Sequence, residues 1–169
     1  MCSSSTGRLG TDAIAEQFIE GREIYVGVMG NLRLETLPLW EMKLKSLPDD
    51  AWNIASEKVK WDEAHQKRVG YAQGPAEGFT PEQVASIQRL SKRIYRRLGL
   101  SGYARLDFRV RDTGEAFLLE ANPNPQISHD GEFAQSALHA GIKYPALLHR
   151  ILKLGLAYRA AWVDSEGEE

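Results

Sequence analysis

Arg105, Asp107, Glu120 and Asn122 are the residues whose types and spacing could do chemistry. They lie in the stretch YARLDFRVRDTGEAFLLEAN, from Tyr103 to Asn122. Arg105 to Arg111 alternates charged and apolar residues, the period-two pattern of a half-buried strand. Glu115 to Asn122 is a second apolar-rich run, and Asp112-Thr113-Gly114 between them supplies a hairpin turn. With Thr113 and Gly114 as the two central turn residues, Asp112 faces Glu115, Asp107 faces Glu120 and Arg105 faces Asn122. Arg105, Asp107, Glu120 and Asn122 share one face, and Leu106, Phe108, Phe117, Leu119 and Ala121 fall on the other. Carboxylates opposed across a strand pair at roughly 5 Å repel each other. Two carboxylates and an amide oxygen are hard ligands suited to Mg²⁺, which keeps positions open for water and substrate phosphates. Arg105 beside them could hold an anion or a developing oxyanion. The same pattern also fits an ordinary charged strand face in water.

The elements around this hairpin must position it. Thr80-Pro81-Glu82-Gln83 starts a helix, with a Thr N-cap, Pro at the first position and Gln at the third. Val84, Ile87, Ile94 and Leu98 recur at helical spacing, and Gly99 closes the helix. Its apolar stripe should pack behind the hairpin. Upstream, Ile14 to Ile19, Glu23 to Met29 and Leu32 to Trp40 read as three strands, with Gly30-Asn31 as a hairpin turn. Asp49 to Ala76 mixes Gly, Pro and charge without period and reads as a loop with at most a helical turn. After the hairpin, two prolines interrupt regular structure. Asp130 is the expected cap of a helix through Ala140, ended by Gly141. Tyr144-Pro145 opens a last helix to about Trp162.

RLDF, a turn, then LLEANPNP resembles the C-terminal half of the ATP-grasp ligases, most closely the D-alanine–D-alanine ligase group with its R-x-D-F and E-x-N motifs. The resemblance implies that Asp107, Glu120 and Asn122 bind two Mg²⁺ ions (Mn²⁺ being an alternative) under the phosphates of ATP, and that Arg105 stabilises the transferring group. AEQFIEGREIYVGV is similar to the family's hinge and following strand. It implies that Glu16, Gln17, Phe18 and Ile19 contact the adenine, that Glu23 holds the ribose hydroxyls, and that Leu119 forms one wall. Read by their own types, Phe18 and Ile19 also fit plain core, and Glu23 an edge carboxylate. The resemblance further places Lys60, followed by Trp61, on a mobile segment that closes over the phosphates. A lysine there would stabilise the charge moved during transfer; a solvated loop lysine is the other reading.

The loop after Asn122 departs from the family. Gln126 stands where the family has a Gly, and Gly131 where it has the Ser that holds the acceptor's carboxylate, with Ser128 near. A bulky Gln narrows the loop, so an acceptor other than D-alanine is expected.

The chain has 169 residues, a net charge of −2 and a pI of about 6.1, giving no sign of a nucleic-acid partner. Lys92, Arg93, Arg96 and Arg97 cluster on a predicted helix and read as a solvated face. A lone Cys2 excludes an internal disulfide and fits a reducing compartment. No apolar run reaches membrane-spanning length, and the N-terminus lacks a secretory pattern. A cytoplasmic protein is expected.

The expected architecture is α+β: an ATP-grasp large lobe with an antiparallel sheet backed by helices. Residues 1–12 would be a flexible segment, 13–162 the lobe and 163–169 an acidic tail. The resemblance spans about residues 14 to 160, without the glycine-rich clamp and N-terminal substrate domain. It implies an ATP-dependent carboxylate–amine ligase working through an acyl-phosphate on a small amino-acid or carboxylate substrate. The expected form is a partial ATP-grasp domain served by a missing N-terminal lobe or a partner chain. The alternative is a non-catalytic Mg·ATP-binding module lacking the phosphate-clamping lobe.

Overall fold

The computed structural model describes residues 16–44 and 62–158. Its strands are β1 (Arg22–Met29), β2 (Glu35–Thr36), β3 (Trp40–Leu44), β4 (Tyr71–Pro75), β5 (Tyr103–Val110) and β6 (Ala116–Asn122). They form one antiparallel sheet in the order β4-β3-β1-β5-β6, with β2 paired to β1. The helices are α1 (Glu63–Val69), α2 (Pro81–Arg97), α3 (Glu132–His139) and α4 (Tyr144–Leu156). The α+β class and the antiparallel sheet backed by helices are as expected.

Alternation along β1 and β5 divides the sheet into two unlike faces. Ile24, Val26 and Val28 of β1 join Leu106, Phe108 and Val110 of β5 in one cluster with Ile87 and Tyr95 of α2. This helix starts as its sequence requires. Thr80 Oγ1 accepts from the Gln83 N–H at 3.3 Å, and Gln83 Oε1 accepts from the Thr80 N–H at 2.9 Å. The second face is covered at one end only. There Met29 and Leu37 pack with Phe133, Ala134, Ala137, Ile142 and Leu147 of the α3–α4 layer. Gly27 permits this approach, because a Cβ at that position would lie 2.7 Å from Leu37 Cδ1 and 2.9 Å from Phe133 Cε2. The rest of the second face carries Glu23, Arg105, Asp107 and Arg109 beside an apolar cluster of Tyr25, Trp40 and Met42.

Several local expectations are corrected. Residues 16–19 of the first expected strand are not extended into the sheet; Ile14 lies outside the described residues. The strand expected over Leu32 to Trp40 is split into β2 and the start of β3 around Pro38, which has no N–H for a ladder. The stretch expected to be irregular contains α1 and β4. Gly70, at φ 63°, turns the chain between them. Gly74 and Pro75 hid β4, and the sheet tolerates both because β4 is an edge strand. Leu98 is 54% exposed, and Tyr95 fills the core position instead, donating its hydroxyl to Gly30 O at 3.0 Å. Gly131, not Asp130, is the N-cap of α3.

Candidate active site

Asp107 faces Glu120 and Arg105 faces Asn122, the pairing expected at these four residues. The route to it differs. Arg111 N donates to Glu115 O at 3.0 Å, and Gly114 N to Arg111 O at 2.8 Å, so the turn holds three residues, Asp112 to Gly114. Gly114 takes φ 86°, as the last residue of such a turn requires. Near the turn the register is therefore one residue off the expected count: Phe117 faces Arg109 and Leu118 faces Phe108. A bulge between Asp107 and Phe108 on the β6 side absorbs the difference at Leu119 and restores the pairing at Glu120. Phe117 consequently shares the charged face, under the Arg111 guanidinium at 4.7 Å from the ring centroid.

β1 extends the same face. Tyr25 pairs with Asp107, Glu23 with Arg109 and Gly27 with Arg105. Arg105 donates through Nε and its second terminal nitrogen to both Asp107 oxygens, at 2.8 and 2.9 Å, and lies 4.8 Å from the centre of the Tyr25 ring. Burial opposes the Arg105 charge, but the Asp107 hydrogen bonds and charge outweigh it and raise its pKa. Asp107 is buried, and this bidentate pair offsets its repulsion with Glu120.

A cavity of about 230 Å³ crosses this face from β6 to β4. Arg105, Glu120 and Asn122 line it from the hairpin. Tyr25, Met42 and Tyr71 line it from the remaining strands, and Gln126 and Glu132 from the following loop and α3. Burial, followed by the Glu132 charge, pushes the Tyr71 hydroxyl up to about 12. Asn122 Oδ1 accepts from the Asn124 N–H at 2.9 Å, which fixes the amide while leaving its second lone pair.

The residues expected at the adenine run beside β5. Ile19 O accepts from Arg109 Nε at 3.1 Å, and the Arg109 guanidinium lies 5.3 Å from the centre of the Phe18 ring. Glu16, Gln17 and Phe18 are exposed; Ile19 is half-buried. Glu23 is buried, accepts from the Tyr25 hydroxyl at 2.9 Å and lies 3.6 Å from Arg109. Leu119 is 52% exposed beside Glu120. Lys60 and Trp61 lie outside the described residues. Sequence reasoning missed Arg109, Tyr25 and Glu132. For Arg109 the signal was present, since it shares strand parity with Arg105 and Asp107.

The donor set fits a hard divalent cation. Glu120 and Asn122 line one cavity, Asp107 faces Glu120 across the strand pair, and all three offer oxygen. Among the described residues no group of three or more His, Cys, Asp or Glu side chains converges, so phosphate and water would complete any shell.

This fold and charged face define the large lobe of the ATP-grasp architecture. The chain belongs to the family described as D-ala D-ala ligase C-terminus, whose model matches residues 5–153. It is 31% identical over 148 residues to a D-alanine–D-alanine ligase of Desulfotalea psychrophila, covering 85% of this chain and 42% of the relative. It is 32% identical over 153 residues to the corresponding ligase of Oleidesulfovibrio alaskensis, covering 88% and 44%. The solved D-alanine–D-alanine ligase of Bacillus anthracis aligns at a TM-score of 0.65 and 25% identity, over 90% of this chain and 44% of that one. The chain thus spans less than half the length of these relatives. Among the described residues no helix is long and apolar enough to cross a membrane.

Proposed function

We propose that this chain is the nucleotide- and metal-binding half of an ATP-dependent carboxylate–amine ligase. The pairing of Asp107 with Glu120 and of Arg105 with Asn122 on the open face of the sheet carries the reading. Asp107, Glu120 and Asn122 would hold Mg²⁺, which supplies charge neutralisation for the ATP phosphates. Phe18, Ile19 and Leu119 would flank the adenine, with Glu16 and Gln17 at its edge and Glu23 toward the ribose. Arg105 would release part of its hold on Asp107 and face the transferring phosphoryl group. Lys60 would close over it.

The γ-phosphoryl passes to a substrate carboxylate oxygen, and ADP leaves with the electrons of the broken P–O bond. An amine nitrogen then forms the C–N bond, inorganic phosphate leaves with the C–O pair, and the surplus amine proton goes to solvent. Arg105 stabilises the oxyanion between these steps, and positioning supplies much of the acceleration.

Calorimetric titration of Mg·ATP into the wild type and Glu120→Ala tests this. The wild type should bind, and the variant about tenfold or more weakly. Equal binding in both would remove the metal assignment. Nucleotide binding with no ADP release under any paired addition of a carboxylate and an amine, amino acids and diamines included, would favour a non-catalytic Mg·ATP module.

A further inference from the structure

We propose that Glu132 selects the second substrate, and that this substrate enters as an amine cation carrying no carboxylate. The inference rests on the ligase reading and concerns the part of the cavity away from the hairpin. Among the described residues lining the cavity, Arg105 is the sole cation. Two of its nitrogens already donate to Asp107 at 2.8 and 2.9 Å. Its remaining nitrogen lies 3.6 Å from Glu132, beyond a good hydrogen bond. A carboxylate entering here would meet the Glu132 charge, and Arg105, once it loosens from Asp107, is directed to the transferring phosphoryl group.

The start of α3 adds to this. A helix N-terminus ordinarily attracts an anion. Glu132 is the first residue of α3 and supplies that negative charge from the protein itself, next to an N-cap, Gly131, that makes no side-chain cap. Gln126 Nε2 donates to Ser128 Oγ at 2.9 Å, which holds the Gln126 amide against the loop.

An ammonium group meets the opposite conditions. It gains a carboxylate that is only 21% exposed, in a cavity also lined by Tyr25 and Tyr71. Tyrosine rings stabilise cations over their faces, and partial exclusion of water strengthens the ion pair. Met42 adds apolar surface for an alkyl chain. The class indicated is an aliphatic diamine: one ammonium stays paired with Glu132, and the other nitrogen attacks as the neutral amine, having left its extra proton in solvent.

Calorimetry with 1,4-diaminobutane and D-alanine, each with and without saturating Mg·ATP, tests the assignment on wild type, Glu132→Gln and Glu132→Asp, with folding checked by circular dichroism. The diamine should bind the wild type and D-alanine should not. Glu132→Gln should weaken the diamine about tenfold, and Glu132→Asp should retain most of it. D-alanine binding as tightly as the diamine, unchanged diamine binding in Glu132→Gln, or binding of neither ligand would each overturn the role of Glu132. Diamine binding without any Mg·ATP binding would sink the ligase reading and keep the cation subsite. Mg·ATP binding with a preference for D-alanine would do the reverse.

Discussion

Asp107 stands opposite Glu120 because β6 carries one residue more than β5 between this pair and the turn. Counted from Val110 and Ala116, a regular ladder would set Asp107 against Leu119. It would send the Glu120 carboxylate to the face packed on α2. The bulge at Leu119 returns Glu120 to the charged face and leaves Leu119 exposed beside it.

Leu119 can therefore be separated from the proposed metal ligands. Deleting it leaves Glu120 opposite Asp107 by count and removes the bulged residue, backbone included. ATP should bind several-fold more weakly to the deletion variant, while Mg-tripolyphosphate, which has no adenine, should bind as to the wild type. Leu119→Ala should behave similarly and change stability by no more than about 0.5 kcal/mol, because the side chain is half exposed. Parallel titrations of the two ligands read the difference. A matching loss for tripolyphosphate would mean that the bulge itself shapes the metal site.

Arg105→Ala should cost about 3 kcal/mol in urea unfolding, because it strands the buried Asp107 carboxylate beside Glu120. Arg105→Lys should restore little, since an ammonium cannot reproduce the bidentate pair. Divalent cation should then compensate. Millimolar Mg²⁺ should raise the melting temperature of Arg105→Ala more than that of the wild type. Equal shifts would place Mg²⁺ away from Asp107.

The hairpin and α2 were legible because both announce themselves locally: alternation on β5, and a capping box at Thr80 with Gly99 after the last turn. The four-residue pairing was also legible, though through two opposite one-residue departures, an added turn residue and a bulge, that cancel at Glu120. Neither alters hydrophobic pattern enough to be read. β4 was hidden because an edge strand accepts Gly74 and Pro75. Tyr25 and Arg109 acquire their places from strand pairing over long sequence separations, with Tyr25 opposite Asp107 and Glu23 opposite Arg109. Such pairings have no local signature. Glu132 enters the site only because α3 packs over Gly27, which depends on the α3–α4 layer as a whole.

The opposite face holds an ion pair that should shape acid stability. Arg22 donates to both Glu41 oxygens at 2.8 and 2.7 Å. Burial pushes the Glu41 carboxyl up, but the hydrogen bond and charge of Arg22 outweigh it and hold its pKa below 4.5. A carboxyl depressed in the folded state stabilises the fold above its unfolded value. That stability is lost as pH falls below about 4.5 and through the lowered folded value. Denaturant unfolding between pH 7 and 3 should show this fall. Glu41→Gln should be less stable at pH 7 and show a flatter acid limb. An unchanged slope would mean that other carboxylates govern acid unfolding.

Gly27→Ala tests whether the sheet–α3 contact positions the second-substrate wall. The added Cβ would sit 2.7 Å from Leu37 Cδ1 and 2.9 Å from Phe133 Cε2. Phe133 is 2% exposed and its ring meets Tyr103 edge-on at 5.5 Å, so it has little room to yield. Overpacking of this kind costs about 1–3 kcal/mol. The strain should push α3 outward and carry Glu132 with it, while the hairpin, held by its own ladder and by α2, stays in place. The expected result is a lower melting temperature, Mg·ATP affinity close to wild type, and weaker binding of 1,4-diaminobutane. Equal loss of both ligands would show that the hairpin face and α3 yield together as one packed unit.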